Sequence, residues 1–175
     1  LNDYLAKYPN SVYDNEIRFA AACMAYKQGD YQTALDRFAA VERVDKGRVD
    51  EYEFKMAHSK FVVGRTDEAY EQFARVAEKS EYAPHARYYR AYIDYSRGEL
   101  DSAKAGFRSI ADEEAYSALV PFYLLQIEFQ QENYRYVAEN CDALIARATP
   151  ARRAEIERTA AESWFRLGDY GRTIS

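Results

Sequence analysis

The stretch YKQGDYQTAL, Tyr26–Leu35, decides the fold because the chain writes it again. FVVGRTDEAY follows at Phe61–Tyr70 and YSRGELDSAK at Tyr95–Lys104. The turn glycines are Gly29, Gly64, Gly98 and Gly168, with Glu132 standing where another is due, so the steps are 35, 34, 34 and 36 residues. Self-similarity at a period of this length marks a stacked-repeat architecture rather than a single-core domain.

Residues at fixed offsets from each turn show what repeats. Seven before it stand Ala22, Ala57, Ala91, Leu125 and Ala161; five after it stand Ala34, Ala69, Ala103, Val137 and Thr173. Nine after it stand Phe38, Phe73, Phe107 and Cys141, and twelve after it Val41, Val76, Ile110 and Leu144. Small residues recur where two helices must approach closely, and large apolar ones recur at the three-to-four-residue step of one helix face. Each unit therefore reads as a helix, a tight turn and a second helix, with glycine at the turn because it takes positive φ without steric cost.

This pattern resembles the tetratricopeptide repeat: the 34-residue step, the G-D-Y or G-x-x turn, the small residue before it and the Ala and Phe after it. The resemblance covers nearly the whole chain. It implies an all-α, right-handed superhelix of antiparallel helix pairs. The repeats fall at about 15–49, 50–83, 84–117, 118–153 and, incompletely, 154–175. Residues 1–14, with Tyr4 placed like Phe38, read as the end of a preceding second helix, so the chain is expected to be a segment of a longer array. Two departures stand out. The fourth unit has Glu132, Val137 and Cys141 for Gly, Ala and Phe, so its turn and packing are expected to be looser. The Trp usual early in the first helix is absent, and Trp164 sits elsewhere. Pro84 and Pro121 fall at helix starts, where a missing N–H does no harm, and Pro150 marks a connection. The stretch YLAKYPNSVYDNE, Tyr4–Glu16, also resembles a connector of bacterial cell-envelope repeat proteins associated with outer-membrane assembly and the Tol–Pal system, which implies the periplasm or envelope.

Composition agrees with a folded chain and narrows its partners. Of 175 residues, 30% are charged and 48% hydrophobic, above what a disordered segment carries. A net charge of −5 points away from a nucleic-acid partner, and no apolar run reaches membrane-spanning length. Cys23 and Cys141 form no C-x-x-C pair, and both read as free apolar fillers. Tyrosine, at 17 copies, is the compositional anomaly; its ring suits packing and its hydroxyl suits binding surfaces.

Signs of catalysis are missing. The two histidines, His58 and His85, belong to no H-E-x-x-H, and no G-x-S-x-G, P-loop or G-x-G-x-x-G is present. Carboxylates alternate with Lys and Arg along helix faces, and Glu16, Glu51 and Glu155 sit near helix starts where the macrodipole favours them. No metal ligand set and no cofactor is expected.

What remains is a surface. The resemblance implies that residues thirteen, ten, six and three before each turn line a concave groove. The −10, −6 and −3 positions hold Phe19, Phe54, Tyr88 and Phe122; then Cys23, His58, Tyr92 and Gln126; then Tyr26, Phe61, Tyr95 and Phe129. The −3 row reads mainly as packing, and the −10 row divides evenly between packing and groove. The groove residues are thus Phe19, Cys23, Phe54, His58, Tyr88, Tyr92, Phe122 and Gln126. Tail-clamping members of the family use Asn at −6, so the Cys, His, Tyr and Gln found here argue against a carboxylate clamp of that type. Two readings follow: a non-catalytic scaffold holding a peptide or partner protein, and a structural segment that self-associates or serves as the accessory part of a larger multidomain protein.

Overall fold

The computed structural model describes residues 14–173, so the expectations resting on Tyr4 and the connector that begins there lie largely outside the described residues. The described residues form α-helices, one short 3-10 turn and no strand. The chain divides into two compact units, Leu1–Ile93 and Asp94–Ser175. In the first unit α1 (Asp14–Lys27) pairs with α2 (Tyr31–Ala39), and α3 (Val49–Val62) with α4 (Thr66–Phe73). The helix α5 (Ala83–Ser96) holds the division point after Ile93. In the second unit α6 (Leu100–Arg108) packs on α7 (Val120–Gln130), which pairs with α8 (Tyr134–Ile145); α9 (Pro150–Leu167) packs on both α7 and α8 and turns into α10 (Tyr170–Thr173).

Every turn closes in the same way. The residue at the turn takes a left-handed conformation: φ is +77° at Gly29, +86° at Gly64, +78° at Gly98 and +78° at Gly168. Its amide bonds three residues back and the next amide five residues back, as in Gly29 N to Tyr26 O (3.1 Å) and Asp30 N to Ala25 O (3.0 Å). This is the Schellman closure, which satisfies the orphan carbonyls at a helix end. The following residue often caps the next helix. Asp30 accepts from the Thr33 amide at 3.1 Å and Asn133 from the Tyr136 amide at 3.4 Å.

The fourth turn corrects the expectation of looseness. Glu132 adopts φ +60° and makes the same two bonds, Glu132 N to Phe129 O (3.0 Å) and Asn133 N to Glu128 O (2.8 Å). Val137 and Cys141 are fully buried in place of the smaller and larger residues of other units. A β-carbon at the left-handed position costs about 1 kcal/mol or more, so the turn is strained rather than open. Pro150 is a second correction: it begins α9 instead of marking a connection, as suits a first-turn residue with no N–H to satisfy.

Small and large residues meet as their spacing requires. Ala22, Ala34 and Phe38 are fully buried in one core cluster with Phe19 and Val41; Ala57, Ala69 and Phe73 form the next with Phe54 and Ile93. In the second unit Leu125, Val137, Cys141, Ile156 and Ala160 form a third. In α9 the buried alanine is Ala160, while Ala161 at the expected offset is half-buried. That helix buries Ile156, Thr159, Ala160 and Ser163, and it packs on both α7 and α8.

The strain at Glu132 sets a test. Replacing Glu132 with Gly should raise stability by about 0.5–1 kcal/mol in urea unfolding, because glycine adopts the left-handed turn freely. Gly64→Ala should lower it by about 1 kcal/mol. A β-carbon at Gly64 meets nothing within 4 Å, so that loss is conformational rather than steric. Equal stability of Glu132→Gly and the parent chain would show that the turn carries no strain.

Candidate functional site

In the first unit α1, α3 and α5, with the start of α2, bring together a cluster of rings around His58. Its imidazole lies 4.9 Å from the Tyr89 ring, 5.4 Å from Tyr31 and 5.5 Å from Tyr26, centre to centre, and stacks on Phe54 at 6.1 Å. The Tyr26 hydroxyl is 3.0 Å from His58 Nδ1. When it donates there, the proton of the neutral ring sits on Nε2. Burial pushes the His58 pKa below its ordinary value, because a charged imidazolium among aromatic rings loses its hydration. Burial likewise pushes the Tyr26 and Tyr89 phenols up, so both keep their protons.

Beside the rings lies a compact charged group. Lys55 Nζ is 2.5 Å from Glu51 and 3.4 Å from Cys23 Sγ, and Arg48 Nε donates to the other Glu51 oxygen at 3.0 Å. Burial opposes the charge on Glu51, but the Lys55 and Arg48 cations outweigh it and hold the carboxyl below its usual range. Burial pushes the Cys23 thiol up against the pull of Lys55, so Cys23 is a neutral thiol rather than a nucleophile. Both cysteines are free. Among the described residues no group of three His, Cys, Asp or Glu side chains could hold a metal ion.

The eight expected groove residues do not share one fate. Three are packing residues. Phe19 is 3% exposed, edge-on to Phe38 at 5.7 Å and covered by the Arg48 guanidinium at 3.9 Å. Phe54, 9% exposed, sits among Phe73, Tyr82 and His85 at 5.3–5.8 Å. Gln126, 7% exposed, donates to the Thr159 hydroxyl at 3.3 Å. The −10 row, read as divided between packing and groove, does divide: Phe19 and Phe54 are interior, while Tyr88 and Phe122 are half-buried. The reason is the neighbouring helix, whose side chains close over the first two. Cys23, His58, Tyr88, Tyr92 and Phe122 are half-buried. Tyr88 meets Tyr89 edge-on at 5.3 Å and lies nearly parallel to Tyr92 at 6.4 Å.

The structure adds a row that the offsets did not single out. Nine residues before the turn, Tyr89 lies flat on Phe73 (5.2 Å, 3° between planes), and Tyr123 lies flat on Phe107 (4.6 Å, 2°). Each phenylalanine is the +9 residue of the preceding helix pair, so these stacks join successive pairs. The adjacent aromatics Tyr88-Tyr89 and Phe122-Tyr123 were the available sign.

Known structures share this architecture. A crystal structure of MamA protein superposes with a TM-score of 0.73 at 12% identity, covering 94% of this chain and 88% of that one. A further MamA structure gives 0.71 at 13% identity over 92% and 91%. A tetratricopeptide repeat protein from Parabacteroides merdae gives 0.69 at 16% identity over 99% and 66%. No protein-family model and no curated protein sequence matches this chain.

The depressed His58 pKa fixes a pH dependence. The unfolded chain takes up a proton near pH 6.5, whereas the folded chain resists it to lower pH. Stability from this site is full above about pH 6.5, falls as the pH drops below that value, and levels off below the folded pKa. Urea unfolding between pH 7.5 and 5.5 should show this loss in the parent chain and a smaller one in His58→Gln. Identical slopes would place the titrating group elsewhere. Glycine-closed helix pairs at this period, and neighbours of 0.69–0.73, agree on one conclusion: the chain carries the all-α tetratricopeptide-repeat fold.

Proposed function

We propose that this chain is a non-catalytic binding module, and that its first unit holds a peptide or partner helix against Cys23, His58, Tyr88 and Tyr92. The observation that carries the reading is the His58 cluster. It offers half-buried rings already fixed by their neighbours, with a neutral imidazole and tyrosine hydroxyls among them. Such rings present apolar area at low entropic cost, and their polar tips supply directional bonds. The repeat fold supports the reading, since stacked helix pairs build extended surfaces of this kind. The net charge of −5 favours a protein partner over a nucleic acid.

A second reading is self-association, and one observation favours it. Phe165, Leu167 and Tyr170 are 53%, 47% and 59% exposed around the turn from α9 to α10, an apolar patch in which Phe165 and Tyr170 meet edge-on at 5.6 Å. Light scattering across a concentration series separates the two, because a monomer at all concentrations removes the second.

For the first reading, a peptide selected from a random library on the immobilised chain supplies the probe. In fluorescence anisotropy, Tyr88→Ala with Tyr92→Ala should weaken its binding at least about ten-fold, the range of an aromatic anchor. Unchanged binding would move the site away from this face.

A further inference from the structure

The second unit contains an open recess of about 320 Å³ that the reading above does not use. Its walls come from the start of α7, the end of α8 and the start of α9. Phe122, Leu144 and Ile156 form an apolar floor, and Arg147 and Arg152 provide the only charges of its lining. The size lies at the lower end of ligand sites, which run from roughly 300 to 1,000 Å³.

Several cations are committed to acids: Lys104 and Arg108 to Glu128, Lys55 and Arg48 to Glu51, Arg166 to Glu162. Arg147 and Arg152 form no ion pair among the described residues, although the chain as a whole is acidic. Arg152 stands 5.6 Å from the centre of the Phe122 ring, and no acidic side chain lines the recess. Arg153, next in sequence, donates to the Ile145 carbonyl at 3.2 Å and is not part of the lining. An apolar floor beneath two uncommitted guanidinium groups is complementary to an apolar group attached to an anion. Guanidinium favours planar carboxylate, which it can grip with two parallel bonds.

We propose that this recess takes an acidic peptide segment, seating one large apolar side chain on Phe122, Leu144 and Ile156 and placing a neighbouring carboxylate between Arg147 and Arg152. The site goes beyond the one assigned to the first unit and rests only on the general reading that the chain binds polypeptides. It is also unlike a clamp for a chain terminus, since it requires a side-chain pocket and an adjacent carboxylate rather than a free C-terminus.

The test uses the whole chain and a fluorescein-labelled, end-blocked peptide of alternating glutamate and phenylalanine, with a counterpart carrying lysine for glutamate. The glutamate peptide should bind saturably, and the lysine peptide at least about ten-fold more weakly. Arg147→Ala with Arg152→Ala should weaken the glutamate peptide by a similar factor. Ala118→Trp, at an exposed wall position, should do the same by filling the recess without altering charge. Circular dichroism confirms that each variant keeps its helices. Tyr88→Ala with Tyr92→Ala should leave this binding unchanged. Failure to bind the glutamate peptide, equal binding of the lysine peptide, or indifference to the arginine and Ala118 variants overturns the proposal. None of those results touches the first-unit site, which stands or falls on the library-selected peptide.

Discussion

Each helix pair depends on one residue that leaves the helix with positive φ. The two backbone bonds it permits stop the first helix and reverse the chain within a few residues, which sets the two helices antiparallel and fixes their register. Only then can Ala22 and Ala34, or Ala57 and Ala69, be fully buried in one shared core. The alanines permit the close approach and the turn determines which alanines share a core. Glu132 shows the hierarchy: its turn keeps both bonds at the expense of backbone strain, so the reversal is preserved where residue preference is not.

That hierarchy explains what was legible in the sequence. A positive-φ turn has a strong residue preference, and a close helix contact demands Ala, so both left their mark at a fixed spacing. Looseness at the fourth turn was the wrong inference, because missing glycine signals cost rather than absence of the turn. Pro150 was misread for a related reason: a proline breaks a helix interior but is welcome in its first turn, and the residues around it did not say which applied.

Site residues were harder to read, because burial depends on what the neighbouring pair supplies. Phe19 and Phe54 stand at offsets that line a groove in a generic repeat. Here Phe38 and Tyr52 enclose the first, and Phe73 and Tyr82 the second. A tyrosine supplies one of the covering rings in each case. The flat stacks of Tyr89 on Phe73 and Tyr123 on Phe107 have the same origin: they need a ring nine residues before one turn and nine after the previous one, a coincidence of two rows rather than a feature of either. At the last pair both rows lack a ring, with Thr159 and Cys141 at those offsets, both small and both buried.

Charge follows a stricter rule than the rings do. Glu128 has a side chain only 4% exposed, and it stays ionised because Lys104 reaches it at 2.6 Å and Asn133 donates at 3.0 Å. Its burial alone would raise the carboxyl pKa, yet these partners hold it below the usual range. Removing one member of such a buried group leaves a charge without compensation, at a cost of about 3–5 kcal/mol. Cations that satisfy interior acids are therefore not free to serve a ligand without weakening the fold. Function that calls on positive charge must draw on side chains the core does not need. In the second unit Arg147 and Arg152 meet that condition, which is why a surface able to receive an anion can exist in a molecule whose net charge would repel one.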